Sequence, residues 1–231
     1  IGIYPNGTNV NGTKGNYKGN IESNGVYLLG YTHQLPQGNS LKLWNVYVDN
    51  VFNTSMLQWD LKRGAWVAGV QYTQQQAVNE GGNEDPTKTY FSPDQHSRVI
   101  STKVGYETGN WKTTLNYTRI TAEGRYLMPR EWGRDPFYTF MPRERNEGFG
   151  DVNAYVGKVN YAFAKAPLKA SLSYGYFQLP DVKNYALNKY GLPSYTQLNL
   201  DLTYEFTDFL EGLEIQALYV HKANRGNTYE N

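Results

Sequence analysis

The sequence predicts an all-β protein: an antiparallel transmembrane β-barrel with lipid outside and water inside. Three observations predict it. About ten short stretches alternate apolar and polar residues one for one, and no helical pattern competes with them. Tight turns and long polar connections alternate along the chain, and aromatic residues gather at strand ends while charges and other polar residues share the inner faces. The clearest stretch runs from Leu198 to Phe206. Side chains on a strand point to opposite faces with period two, so Leu198, Leu200, Leu202, Tyr204 and Phe206 share one face. Asn199, Asp201, Thr203 and Glu205 share the other. Alternation alone also suits a soluble β-sandwich or a sugar-binding module. The segregation of tight and long connections to opposite rims favours the barrel.

Residues 1–23 are rich in Gly, Asn, Thr and Lys and carry no periodicity, so they read as a loop. Strands are expected at 25–35, 40–49, 53–62, 66–76, 96–107, 111–121, 150–163, 168–178, 196–206 and 213–223. Tight turns fall at 36–39, 63–65, 108–110, 164–167 and 207–212, each with turn-forming residues. Long polar connections cover 77–95, 122–149 and 179–195, and the connection at 49–53 on the same rim is short. Leu57, Trp59 and Leu61 are expected to face lipid, with Gln58, Asp60 and Lys62 inside. Leu168, Ala170, Leu172, Tyr174 and Tyr176 face out on the next clear strand, against Lys169, Ser171, Ser173 and Gly175. Leu213, Ile215, Ala217 and Tyr219 face out against Glu214 and Gln216. Strand 40–49 stays open, since Leu41 and Leu43 or Trp44, Val46 and Val48 could form its outer face. A lysine or arginine at mid-bilayer costs about 2–4 kcal/mol on the lipid face, so these charges imply a wet interior.

The chain of 231 residues suits one barrel domain over 1–231. Counting strand directions puts both ends of the chain on the long-loop rim. Single-chain bacterial barrels place both termini on the other rim, which leads to the expectation that strands are missing at both ends. There is no apolar run of about 18 residues, so no transmembrane helix is expected. The aromatic content of 15%, with 21 tyrosines, suits a membrane–water interface. A net charge of +1 argues against nucleic acid as a partner. With no cysteine, disulfides and thiolate metal sites are excluded.

The segment from Met128 to Gly148, MPREWGRDPFYTFMPRERNEG, is the most specific in the chain. Together with Trp44–Asn53, WNVYVDNVFN, and the Leu57-Gln58-Trp59 strand, it resembles outer-membrane porins of the OprD-like family in Bacteroidetes. The resemblance implies an 18-stranded monomeric barrel in the bacterial outer membrane, with loops folded inward to form a constriction. It implies passive diffusion of small polar, often anionic, solutes along a track of arginines, without cofactor. Outer-membrane lipid and lipopolysaccharide are the expected surroundings, with the protein a monomer or part of a larger outer-membrane assembly. Such barrels end in an aromatic residue, from which Asn231 departs.

Six arginines fall between 119 and 145: Arg119, Arg125, Arg130, Arg134, Arg143 and Arg145. Their guanidiniums offer planar donors to carboxylate or phosphate. On one reading they form the constriction, with Arg119, Arg125 and Arg130 facing the pore. On the other they pair with Glu123, Glu131, Asp135, Glu144 and Glu147 in an outer loop. Lys103, Lys158 and Lys169 are expected to line the interior, with Asp201, Glu205 and Glu214. The acidic run 80–85 lacks EF-hand spacing and reads as a solvated loop, so no metal site is expected. His33, His96 and His221 stand alone, and neither Gly-x-Ser-x-Gly nor His-Glu-x-x-His occurs, so no catalytic site and no enzyme is expected.

Overall fold

A computed structural model describes residues 2, 3 and 7–227. Asn231, named above for its departure from an aromatic end, lies outside the described residues. The fold is a meander of ten antiparallel strands. They are β1 (Val26–Leu35), β2 (Asn39–Val48), β3 (Phe52–Arg63), β4 (Trp66–Ala77), β5 (His96–Thr108), β6 (Trp111–Ile120), β7 (Val152–Ala162), β8 (Leu168–Gln178), β9 (Tyr195–Glu205) and β10 (Glu214–Asn224). Each strand pairs only with its sequence neighbours, so the ten-stranded sheet is open, with β1 and β10 as its edges. Every strand lies within two residues of its expected span. That agreement reflects how strongly period-two patterning marks a half-buried strand.

Register sorts the side chains into two faces. Leu57 pairs with Leu43 and Tyr72, and Leu172 with Val159 and Leu200. These residues belong to a continuous exposed apolar surface that includes Leu115 at 66% exposure and Ile215 at 55%. Rings close both ends of this band. Trp66–Tyr106 and Trp111–Tyr161 pack at the turn end, with centroids 5.1 and 4.4 Å apart. Tyr117–Tyr155 and Tyr155–Tyr176 pack at the loop end, 5.1 and 6.5 Å apart. An exposed apolar band between two aromatic girdles is what a bilayer selects in a strand-built wall.

The opposite, inner face is divided along the strands. Near the turns it is polar, with the pairs Lys62–Glu107 at 3.0 Å and Lys112–Glu107 at 2.7 Å. Near the long loops it is apolar, because the loops lie on it. One cluster joins Val99, Ile120, Val152, Val156 and Phe177 to loop residues Tyr126, Phe137, Met141 and Phe149. A second joins Val46, Val48 and Phe52 to Tyr17, Tyr90, Phe91 and Leu127. This settles β2: Lys42 pairs with inward Gln58, so Leu41 and Leu43 face out while Trp44, Val46 and Val48 face in beneath loop side chains. Both faces of that strand are apolar for different reasons, one lipid and one loop.

Candidate functional site

The segment 121–151 between β6 and β7 crosses the inner face instead of standing above the rim. Six strands hold it, largely by reaching its backbone. Gln71 donates to the Pro136 carbonyl at 2.9 Å and Gln75 to that of Leu127 at 2.8 Å. Gln197 and Asn199 both donate to the Pro142 carbonyl, at 2.8 and 2.9 Å. The Lys158 ammonium bridges the carbonyls of Tyr138 and Phe140, at 2.9 and 2.7 Å. Ser101 accepts from the Tyr138 amide at 3.1 Å, and Thr118 meets Thr139 at 2.8 Å. The Tyr138 hydroxyl donates to Asp60 at 2.8 Å, and Lys103 binds the same carboxylate at 2.7 Å with its ammonium 4.4 Å from the Tyr138 ring. Prolines at 129, 136 and 142 restrict the chain, and those at 136 and 142 present carbonyls that a strand can bind.

Beside this segment lies a cavity of about 950 Å³. Arg130, Arg134, Arg143 and Arg145 line it with Glu131, Asp135, Glu144, Tyr190, Tyr195 and Lys222. Arg134 and Asp135 also border a second cavity of about 450 Å³, which includes Lys103, Lys112 and Lys158. Arg134 sits 5.1 Å from the Phe140 ring and Arg145 5.1 Å from the Tyr190 ring, so aromatic faces hold both cations without neutralising them. The segment therefore has guanidiniums on its water-facing side and apolar side chains beneath it.

Two arginines differ from the sequence expectation. Arg119 lies on the outer face with Leu115 and Tyr117, where its guanidinium binds Asp151 at 2.6 Å. Strand parity decides this: Thr118 and Ile120 are the inward residues at that end. Arg125 is buried and donates to the carbonyls of Thr8 at 2.7 Å, Asn9 at 3.1 Å and Tyr185. It ties three loops together, and burial lowers its pKa to about 10. The expected pairing of the acidic residues with arginines also differs. Asp135 accepts the Asn146 amide at 2.7 Å, Glu144 accepts that of Met141 at 3.3 Å, and Glu147 binds Lys189 and the Tyr190 hydroxyl. Glu123 does bind a guanidinium, that of Arg98 on β5 at 2.5 Å, outside the group of six.

Near the turns, Lys169 binds Glu205 and Asp201 accepts from Gln216 at 2.6 Å, all on the inner face, and Glu214 shares it through its register with Glu205. Sequence reasoning missed Gln71, Gln75, Gln197, Asn199 and Lys222. A signal was present: uncharged amides at inward positions close to the loop end suit partners that are backbone carbonyls rather than water. The described residues hold no group of three His, Asp or Glu able to bind a metal.

An open wall of antiparallel strands with an apolar outside and an arginine-bearing segment folded across its inside is the architecture of part of a β-barrel. Solved structures match it. The OccAB3 structure from Acinetobacter baumannii superposes with a TM-score of 0.66 at 18% identity, covering 88% of this chain and 50% of that one. OccK3 (OpdO) from Pseudomonas aeruginosa gives 0.69 at 15%, covering 88% and 53%. OpdK from the same organism, solved with vanillate, gives 0.67 at 14%, covering 90% and 54%. These neighbours are Occ-type porins of the outer membrane, and the chain spans about half their length. No family model and no curated protein matches the sequence.

Proposed function

We propose that this chain is part of the wall of an outer-membrane porin, a water-filled channel for passive diffusion of small anionic solutes. The carrying observation is the 121–151 segment, pinned across six strands with Arg130, Arg134, Arg143 and Arg145 on a cavity of about 950 Å³. Guanidiniums offer paired donors to a carboxylate, and Lys158 borders the adjoining cavity, where Lys103 and Lys112 are paired with Asp60 and Glu107. Vanillate, the carboxylate present with one structural neighbour, belongs to this solute class. The open edges of β1 and β10 support a larger barrel in which this domain is one part, and the resemblance implies 18 strands in all. Segments 44–53 and 128–148 support an origin among the porins of Bacteroidetes. The reading assigns no catalytic activity.

Single-channel recording on the complete protein tests it. Changing Arg130, Arg134 and Arg143 together to Gln is expected to lower the anion-to-cation permeability ratio several-fold with the channel still open. An unchanged ratio would remove these arginines from selectivity. The complete protein remaining soluble without detergent would favour the sandwich reading.

A further inference from the structure

The outer face carries a depression that the channel reading does not use. It spans β5 to β8 in the half of the apolar band nearest the long loops, with a volume of about 620 Å³. Two cross-strand rows build it. Tyr117, Tyr155 and Tyr176 form the upper row by direct pairing, and Leu115, Gly157 and Tyr174 form the lower one. Gly157 makes the depression. Glycine weakens a strand interior, and here no close backbone demands one: a Cβ at Gly157 would meet only Leu115 Cδ2, at an ordinary 3.7 Å. The neighbouring strand positions carry bulky side chains, with Leu115 and Tyr174 exposed at 66% and 51%. A missing side chain framed by tyrosines leaves a slot with aromatic walls and an apolar floor.

The charge above the slot identifies what enters it. Arg119 pairs with Ile100 one row nearer the rim than Tyr117, and Arg98 lies two residues further along β5 on the same face. Arg119 binds Asp151 and the Val152 carbonyl, Arg98 binds Glu123, and the two side chains remain partly exposed at 32% and 45%. Five N–H donors on each exceed what these partners take. An apolar slot within the band, below exposed guanidiniums at headgroup depth, complements an acyl chain joined to a phosphate.

We infer that the outer face over Gly157 is a binding site for one lipopolysaccharide molecule of the outer leaflet. An acyl chain fills the slot between Tyr117, Tyr155, Tyr174 and Tyr176, and Arg98 and Arg119 meet the lipid phosphate. The inference rests on the outer-membrane reading above. The test is native mass spectrometry of the complete protein in detergent, with purified lipid A carrying its two innermost core sugars as probe. Wild type is expected to retain one lipid, Gly157→Leu to reduce retention at least five-fold, and Arg98→Gln/Arg119→Gln to reduce it several-fold. Ala217→Leu, on the outer face of β10 away from the slot, is expected to change nothing. Heat-modifiable migration in gels reports folding of each variant. Equal retention by a folded Gly157→Leu protein would overturn the site while leaving the channel intact. So would wild type retaining only phospholipid, or the slot holding a second copy of the chain as a dimer that Gly157→Leu abolishes. A complete protein found outside the outer membrane would overturn the channel reading and the site with it.

Discussion

Arg125 and Lys189 show what charge does in the loops of this protein. Neither projects into water. The Lys189 ammonium lies 5.1–5.4 Å from the rings of Tyr17, Tyr90 and Tyr190 and 3.5 Å from Glu147. Arg125 gives its donors to carbonyls of the 1–23 and 179–194 loops. Arg125→Met would keep the volume and take the guanidinium donor from the Thr8 and Tyr185 carbonyls, while that of Asn9 keeps the Gly12 amide. Opening of these loops should become easier by about 2 kcal/mol, a roughly 30-fold rise in amide exchange. Hydrogen exchange over 7–16 and 183–190 measures it, and protection equal to wild type would refute the tie. Composition and spacing present the six arginines as one group. What separates buried Arg125 from exposed Arg130 is the path of the loop, set by contacts with residues more than 100 positions away.

At the scale of the element, the 121–151 segment carries three buried carboxyls, Asp135, Glu144 and Glu147, and two of them are shifted upward. Burial raises the pKa of Asp135 from 3.8 to about 7, and nearby Glu147 adds to the shift. Burial, with Asp135 beside it, also pushes Glu144 up. The docked segment therefore holds protons that the undocked one releases. For Asp135, docking is fully stabilised below about pH 4 and weakens as pH rises through about 7, where the docked carboxyl must ionise in place, and Glu144 acts in the same direction. Amide exchange over 124–148, corrected for its intrinsic pH dependence, should accordingly be faster at pH 8 than at pH 5. The double variant Asp135→Asn/Glu144→Gln should lose that difference, and retention of it would assign the effect elsewhere. The segment's existence is legible in its length, prolines and rings. Its docking is not, because a strand that binds carbonyls leaves no complementary pattern in the loop's own side chains.

At the scale of the whole molecule, one sheet presents an apolar outer face and a polar or loop-covered inner one, which the channel reading assigns to lipid and water. Leu200→Arg places a cation on the outer band and should cost about 2–4 kcal/mol of folding stability in lipid. Ser171→Arg, facing inward opposite Asp201, should cost less than about 1 kcal/mol. Denaturant unfolding in vesicles measures both, and equal losses would contradict the assignment of faces. The sheet was legible in the sequence because lipid on one side and water on the other leave a strict alternation, as in β8 and β9. It was illegible at β2, where the loops turn the inner face apolar as well.

The manner of loop attachment has a consequence for descent and for engineering. Most of the wall's contacts, from Gln71, Gln75, Lys158, Gln197 and Asn199, fall on peptide oxygens that every residue type supplies. The cavity-facing positions 130, 134 and 143 do not take part in them. Such a scaffold lets mutation exchange those side chains freely while the strap keeps its course, so that, in the proposed channel, new solute preferences can arise on an unchanged frame.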